Sequence, residues 1–116
     1  MNKKPVAHPH DHTSIGRAGE FMAAYKLQMA GAEVSHVNGT CDLHVTLPSK
    51  MVLRVEVKTS ATISRYADIF VLVALKQGLL RVMRLEEMSQ RVTITMHPAD
   101  FTQRDEDADI AGLFLL

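Results

Sequence analysis

Asp42, Glu56 and Lys58 are the residues whose types and spacing suit them for chemistry. The segment Met51 to Thr59 reads Met-Val-Leu-Arg-Val-Glu-Val-Lys-Thr. As a strand it puts Leu53, Val55 and Val57 on one face and Arg54, Glu56 and Lys58 on the other. Cys41 to Leu47 sorts the same way, with Leu43, Val45 and Leu47 apolar against Asp42, His44 and Thr46. Two neighbouring strands so phased share a face that carries a carboxylate pair and a lysine, with cross-strand side-chain roots about 5 Å apart. Two bare carboxylates repel by an amount on the order of 4 kcal/mol at about 4 Å and an effective dielectric of about 20. A cation must compensate, and Lys58, Arg54 or a bound metal are the candidates. Phosphodiester hydrolysis asks for this combination, because a hard divalent cation on one or two carboxylates both activates water and neutralises charge building on phosphorus. The structural alternative is an amphipathic hairpin in which Glu56 and Lys58 are a solvated pair, contributing roughly 0 to 1 kcal/mol.

The elements that would position these groups are legible on either side. Ser14 is a candidate helix cap, and Gly31 ends a run from about Ile15 to Ala30 in which few residues are strongly polar. At helical spacing Ala18, Met22, Tyr25 and Met29 form one stripe, with Glu20, Ala23, Ala24 and Leu27 round the opposite side. The expectation is a helix buried on both sides. Val34 to Val37, the Asp42 strand and the Glu56 strand follow, joined by Asn38-Gly39 and Pro48-Ser49-Lys50 turns, and connections this short predict an antiparallel meander. Residues 60–67 are a polar link. Ile69 to Leu75 reads as a strand covered on both faces, and Gln77-Gly78 turns it into another from Leu79 to Leu85. Arg91 to Met96 alternates weakly, His97-Pro98 breaks it, and the end is acidic and then apolar, with no element assigned there.

Asp42, a dozen residues, then Glu56-Val57-Lys58 resembles the PD-(D/E)XK nuclease superfamily. Gly16-Arg17-Ala18-Gly19-Glu20 is similar to the helix opening of its small Holliday junction resolvase-like and homing endonuclease-like members. The resemblance covers roughly residues 14 to 85. It implies an α/β (α+β) restriction-endonuclease-like core, with an N-terminal helix, an antiparallel meander and a central mixed sheet. It implies a divalent-metal-dependent endodeoxyribonuclease using Mg2+, with Mn2+ able to substitute, and DNA, duplex or branched, as substrate. Position by position, Asp42, Glu56 and the main-chain carbonyl of Val57 would hold the metal, Glu20 would join them at the metal and assist from the helix, and Lys58 would position or activate the attacking water. Thr59 and Ser60 fall where such nucleases have polar residues near phosphate. One departure is Cys41, which stands before Asp42 where the family often has proline. A catalytically inactive nuclease-fold module that binds DNA or a protein is the alternative, because fold does not fix function. Glu20 argues against a merely solvated face, being a carboxylate set among alanines and leucine.

Arg17, His44, Arg65 and Tyr66 are further candidates for nucleic-acid contact. Asp68, before the next strand, suits a turn role. His8, His10 and His12 could ligate a transition metal, but they lie in a Pro- and His-rich stretch, residues 1–13, that reads as a flexible arm ahead of a single domain over 14–116. The 116 residues, 47% apolar and 22% charged, suit one globular domain with a core and exclude a disordered chain. Net charge is zero, but Asp105, Glu106, Asp107 and Asp109 cluster late, leaving the preceding chain 13 basic against nine acidic groups. The lone Cys41 excludes an internal disulfide and a multi-cysteine zinc cage, and fits a cytoplasmic protein. No apolar run predicts a membrane span. The apolar helix and Leu113-Phe114-Leu115-Leu116 predict a homo-oligomer, a two-fold dimer being one that would set two sites against two strands.

Overall fold

The computed structural model describes residues 12–37, 41–59, 68–84 and 97–116. Helix α1 spans His12–Met29, starting ahead of Ser14. It ends at Gly31, whose φ of 116° is accessible to glycine and lets Ala32 N–H close back on the Leu27 carbonyl at 3.1 Å. Gly19, Ala23 and Leu27 recur every four residues and are buried, as is Ala24. The expectation of burial on both sides is corrected: Phe21, Tyr25 and Met29 are 61%, 62% and 71% exposed. The small side chains let one face press on the sheet, and the bulky ones are left outside the single chain.

Among the described residues five strands follow, β1 (Glu33–His36), β2 (Leu43–Thr46), β3 (Val52–Lys58), β4 (Ile69–Ala74) and β5 (Leu79–Arg84), in the spatial order of the sequence. The predicted meander is present, since β1, β2 and β3 pair antiparallel. β3 and β4 run parallel and β4 and β5 antiparallel, which makes the sheet mixed. Leu43, Val45, Val55, Val57, Ile69, Val71 and Val73 form one core with Ala23, Ala24 and Leu27 of α1. Phe70 and Leu72 point the other way and pack with Cys41 and Phe101, so β4 is covered on both faces as its unbroken apolar run predicts.

The acidic end, given no element by the sequence reading, is a helix. After a single 3-10 turn at Pro98–Asp100, α2 spans Gln103–Leu113. Thr102 caps it, its hydroxyl accepting from the Asp105 N–H at 3.0 Å, and Asp105 and Glu106 sit in the first turn where the helix dipole favours negative charge. Its carboxylates hold the last strand: Leu80 N–H donates to Glu106 Oε1 at 2.9 Å and Val82 N–H to Asp109 Oδ2 at 2.8 Å. Outward N–H groups at this end of the strand order are thereby satisfied, which removes a template for edge pairing. Leu113 is buried and Phe114 half-buried, while Leu115 remains 87% exposed. Among the described residues no helix is long and apolar enough to cross a membrane.

The two glycines ahead of Glu20 differ in surroundings. A Cβ at Gly19 would lie 2.7 Å from Thr59 Cγ2, whereas one at Gly16 meets nothing within 4 Å. Alanine in a helix interior gains about 1 kcal/mol over glycine, and overpacking costs about 1 to 3 kcal/mol. Urea unfolding should therefore find Gly16→Ala stabilised by up to about 1 kcal/mol and Gly19→Ala destabilised.

Candidate active site

The β2–β3 register fixes the first contact. Leu43 faces Val55, which brings Asp42, one residue before β2, opposite Glu56. Asp42 N–H donates to the Val55 carbonyl at 3.0 Å, and Val57 N–H donates to Asp42 Oδ2 at 2.8 Å. The side chain of Asp42 is thus tied to the main chain between Glu56 and Lys58. Glu56 is buried, and its Oε2 lies 2.9 Å from Lys58 Nζ. Lys58 is therefore the cation that compensates Glu56.

Arg54, the other candidate, is committed elsewhere. Its guanidinium Nη2 donates to Asp68 Oδ1 at 2.9 Å, and its N–H to Asp68 Oδ2 at 3.0 Å. Asp68 clips the start of β4 to β3, a structural role. The Arg54 side-chain hydrogen bond holds the Asp68 carboxyl below the usual carboxylate range. The corresponding stability is present above the ordinary pKa and is lost as pH falls through the lowered folded value. Asp68→Asn should accordingly be slightly less stable than the parent chain at neutral pH, with the gap closing on acidification. Chemical unfolding across a pH series measures it, and a gap that widens in acid contradicts the assignment.

Glu20 reaches the site from α1, which the tight passage of Gly19 over Thr59 brings close to the end of β3. Burial first, and then the charge of Asp42, push the Glu20 carboxyl above its ordinary pKa. Glu20 and Asp42 share a pocket of about 470 Å³ with Arg17, Phe21, His36 and Cys41. Glu56 and Lys58 do not line it. The four predicted site residues thus form a sequence of neighbours, Glu20 by Asp42, Asp42 by Glu56, Glu56 by Lys58, rather than one ring. Among the described residues no three His, Cys, Asp or Glu side chains gather closely enough to hold a metal ion. Two carboxylates with main-chain oxygen and water still suit magnesium, which keeps several waters and needs no protein cage.

Arg17 and His44 are exposed, His44 lying beside Arg54 across the strand pair, and Thr59 is half-buried at the end of β3. Ser60, Arg65 and Tyr66 lie outside the described residues, as do His8 and His10. Four pocket residues, Phe21, His36, Val37 and Cys41, are not among the candidates that the sequence supplies. His36 Nδ1 stands 4.0 Å from Glu20 Oε1, and its ring meets Phe21 with centroids 5.3 Å apart. Alternation within the short first strand gave no signal for His36, because its neighbours on both sides are polar or half-buried. Cys41 is buried, its thiol donating to the Leu43 carbonyl at 3.7 Å, and burial followed by the Asp42 charge pushes its pKa up.

No protein-family profile matches the chain, and no curated protein matches it. Among solved structures, a bacterial homing endonuclease is similar with a TM-score of 0.65 and 18% sequence identity, the match covering 81% of this chain and 83% of that one. A likeness over that share of both chains establishes a shared fold.

Proposed function

We propose that this protein is a divalent-metal-dependent endodeoxyribonuclease of the PD-(D/E)XK type, acting in the cytoplasm on DNA. The observation that carries the reading is the 2.8 Å bond from Val57 N–H to Asp42 Oδ2. It seats one carboxylate against the strand that bears Glu56 and Lys58, in a fold shared with a homing endonuclease. Asp42, Glu56 and the Val57 carbonyl would hold Mg2+, or Mn2+ in its place, with Glu20 assisting from the helix. When bound, the ion supplies an acidified water and neutralises charge on the phosphate.

The protein's own groups do the positioning. Lys58, 2.9 Å from Glu56, orients the attacking water and gives a buried carboxylate its counter-charge beside Asp42. Glu20 sits across Asp42 and holds a solvent molecule on the helix side. Arg17, His44 and Thr59 flank this line and contact backbone phosphates, as would Ser60, Arg65 and Tyr66 in the segment that follows β3. Cleavage is directed by DNA shape, as at a junction, or at a homing-type site, and a two-fold dimer supplies one site per strand.

The alternative is a nuclease-fold module that binds DNA or a protein without cutting. The absence of a three-ligand cluster among the described residues favours it. Incubation with branched and linear DNA, in magnesium and in chelator, separates the two. Cleavage in magnesium only is the expected result, accompanied by binding heat when magnesium is titrated into the protein. Binding indifferent to magnesium with no cleavage selects the module, and cleavage in chelator removes the metal.

A further inference from the structure

Phe21 is a large apolar side chain left 61% exposed beside a polar pocket, one residue from Glu20. Its ring and that of His36 are tilted by 60° with centroids 5.3 Å apart, and the His36 side chain is itself 46% exposed. Arg17, one helical turn before Phe21, lines the same pocket and is exposed. Two partly exposed aromatic rings thus share a pocket with a cation and two carboxylates. Nucleic-acid bases freed from a duplex stack on aromatic side chains, and their phosphates pair with arginine. The pocket's volume of about 470 Å³ falls within the range of small-ligand sites. A paired base cannot use this platform, because its faces are occupied by its neighbours in the stack.

We infer that the pocket between α1 and β1 takes one unpaired nucleotide, its base stacked on Phe21 and His36 and its phosphate on Arg17. The inference rests on the nuclease reading above and gives it a substrate class, namely DNA with an extrahelical or single-stranded nucleotide next to the cleaved bond. Glu20 and Asp42 line the same pocket, so the captured nucleotide lies beside the proposed site. The competing role for Phe21 is a contact between copies of the chain, because Tyr25 and Met29 continue the same exposed ridge along α1.

The test uses the full chain with calcium in place of magnesium, and two DNAs, one fully paired and one carrying a fluorescent adenine analogue at an unpaired position. The unpaired DNA should bind more tightly, and the analogue's emission should be quenched on binding. Stacking on an aromatic side chain predicts that the affinity ratio of unpaired to paired DNA falls about tenfold in Phe21→Leu. It should fall likewise in His36→Leu. Both side chains are exposed, so neither change removes a core contact. Tyr25→Leu, the next aromatic on the ridge, should leave the ratio alone. Equal affinity of the parent chain for both DNAs overturns the inference and leaves the nuclease reading standing. So does a ratio that survives Phe21→Leu, or a Phe21→Leu effect confined to oligomeric state in sedimentation. Failure to bind either DNA overturns both.

Discussion

Lys58→Arg is expected to lower DNA cleavage by about a hundredfold or more while leaving the fold in place. Proton transfer or water activation by a positioned side chain is worth roughly 10² to 10⁴ in rate, and that contribution depends on where the nitrogen sits. Arginine keeps a cation beside Glu56, which is 6% exposed and would otherwise be left a buried, unpaired carboxylate. Its planar fork cannot put a single ammonium where Lys58 Nζ now lies. Lys58→Ala would confound the two effects, since stripping one partner from a buried pair costs about 3 to 5 kcal/mol. Asp42→Asn is the companion. Its amide oxygen can still accept from Val57 N–H, so the tie between β2 and β3 persists. The lost charge should abolish both magnesium binding heat and cleavage. Initial rates on DNA, read beside thermal unfolding of the same samples, check both variants. Cleavage at the parental rate in either one removes the corresponding residue from the mechanism.

The strands that carry these residues were legible because their alternation is strict. Leu43, Val45, Leu53 and Val55 are buried and His44 and Arg54 exposed, as a period of two requires. The antiparallel pairing of β2 and β3 follows from the short turn between them, and the shared polar face from their alternation, whereas the register that sets Asp42 opposite Glu56 is a property of the fold. Tertiary partners were not legible. Arg54 and Lys58 are equivalent in the strand pattern, and only the parallel arrival of β4, with Asp68 at its start, shows that Arg54 is already spent. For α1 two apolar sides are legible in the sequence, but apolar character cannot say which side the sheet takes. The small residues decided it, since Gly19 and Ala23 permit an approach that Phe21 and Tyr25 forbid. In α2 the capping signal is Thr102, whose hydroxyl accepts from the Asp105 N–H. The mean character of the segment is acidic, and its buried face is completed by Glu106, a residue that hydrophobic periodicity counts as surface.

That residue carries the largest expected effect on stability. Glu106 accepts Lys26 Nζ with both oxygens, at 2.8 and 2.9 Å, together with Leu80 N–H and the Gln103 amide. Lys26 also donates to the Gly78 carbonyl at 2.8 Å, so one ion pair joins α1, the β4–β5 turn, β5 and α2. Glu106→Ala should cost about 3 to 5 kcal/mol, the range for breaking a buried pair. That is a large share of the roughly 5 to 15 kcal/mol by which domains are stable. The Lys26 side chain retains 19% exposure, which lets water reach its ammonium and points to the lower end. Glu106→Gln should cost less, because its carbonyl still satisfies Leu80 N–H. Combining it with Lys26→Met should recover part of the loss, since no charge is then left unpaired, and a double-mutant cycle reads the coupling from urea unfolding. The chemistry should respond differently. β4 separates β5 from β3, so Glu106→Ala should leave the cleavage rate per folded molecule near that of the parent. This is the reverse of the Lys58→Arg outcome. A Glu106→Ala protein that stays folded yet cleaves as poorly as Lys58→Arg would mean that the acidic helix belongs to the site.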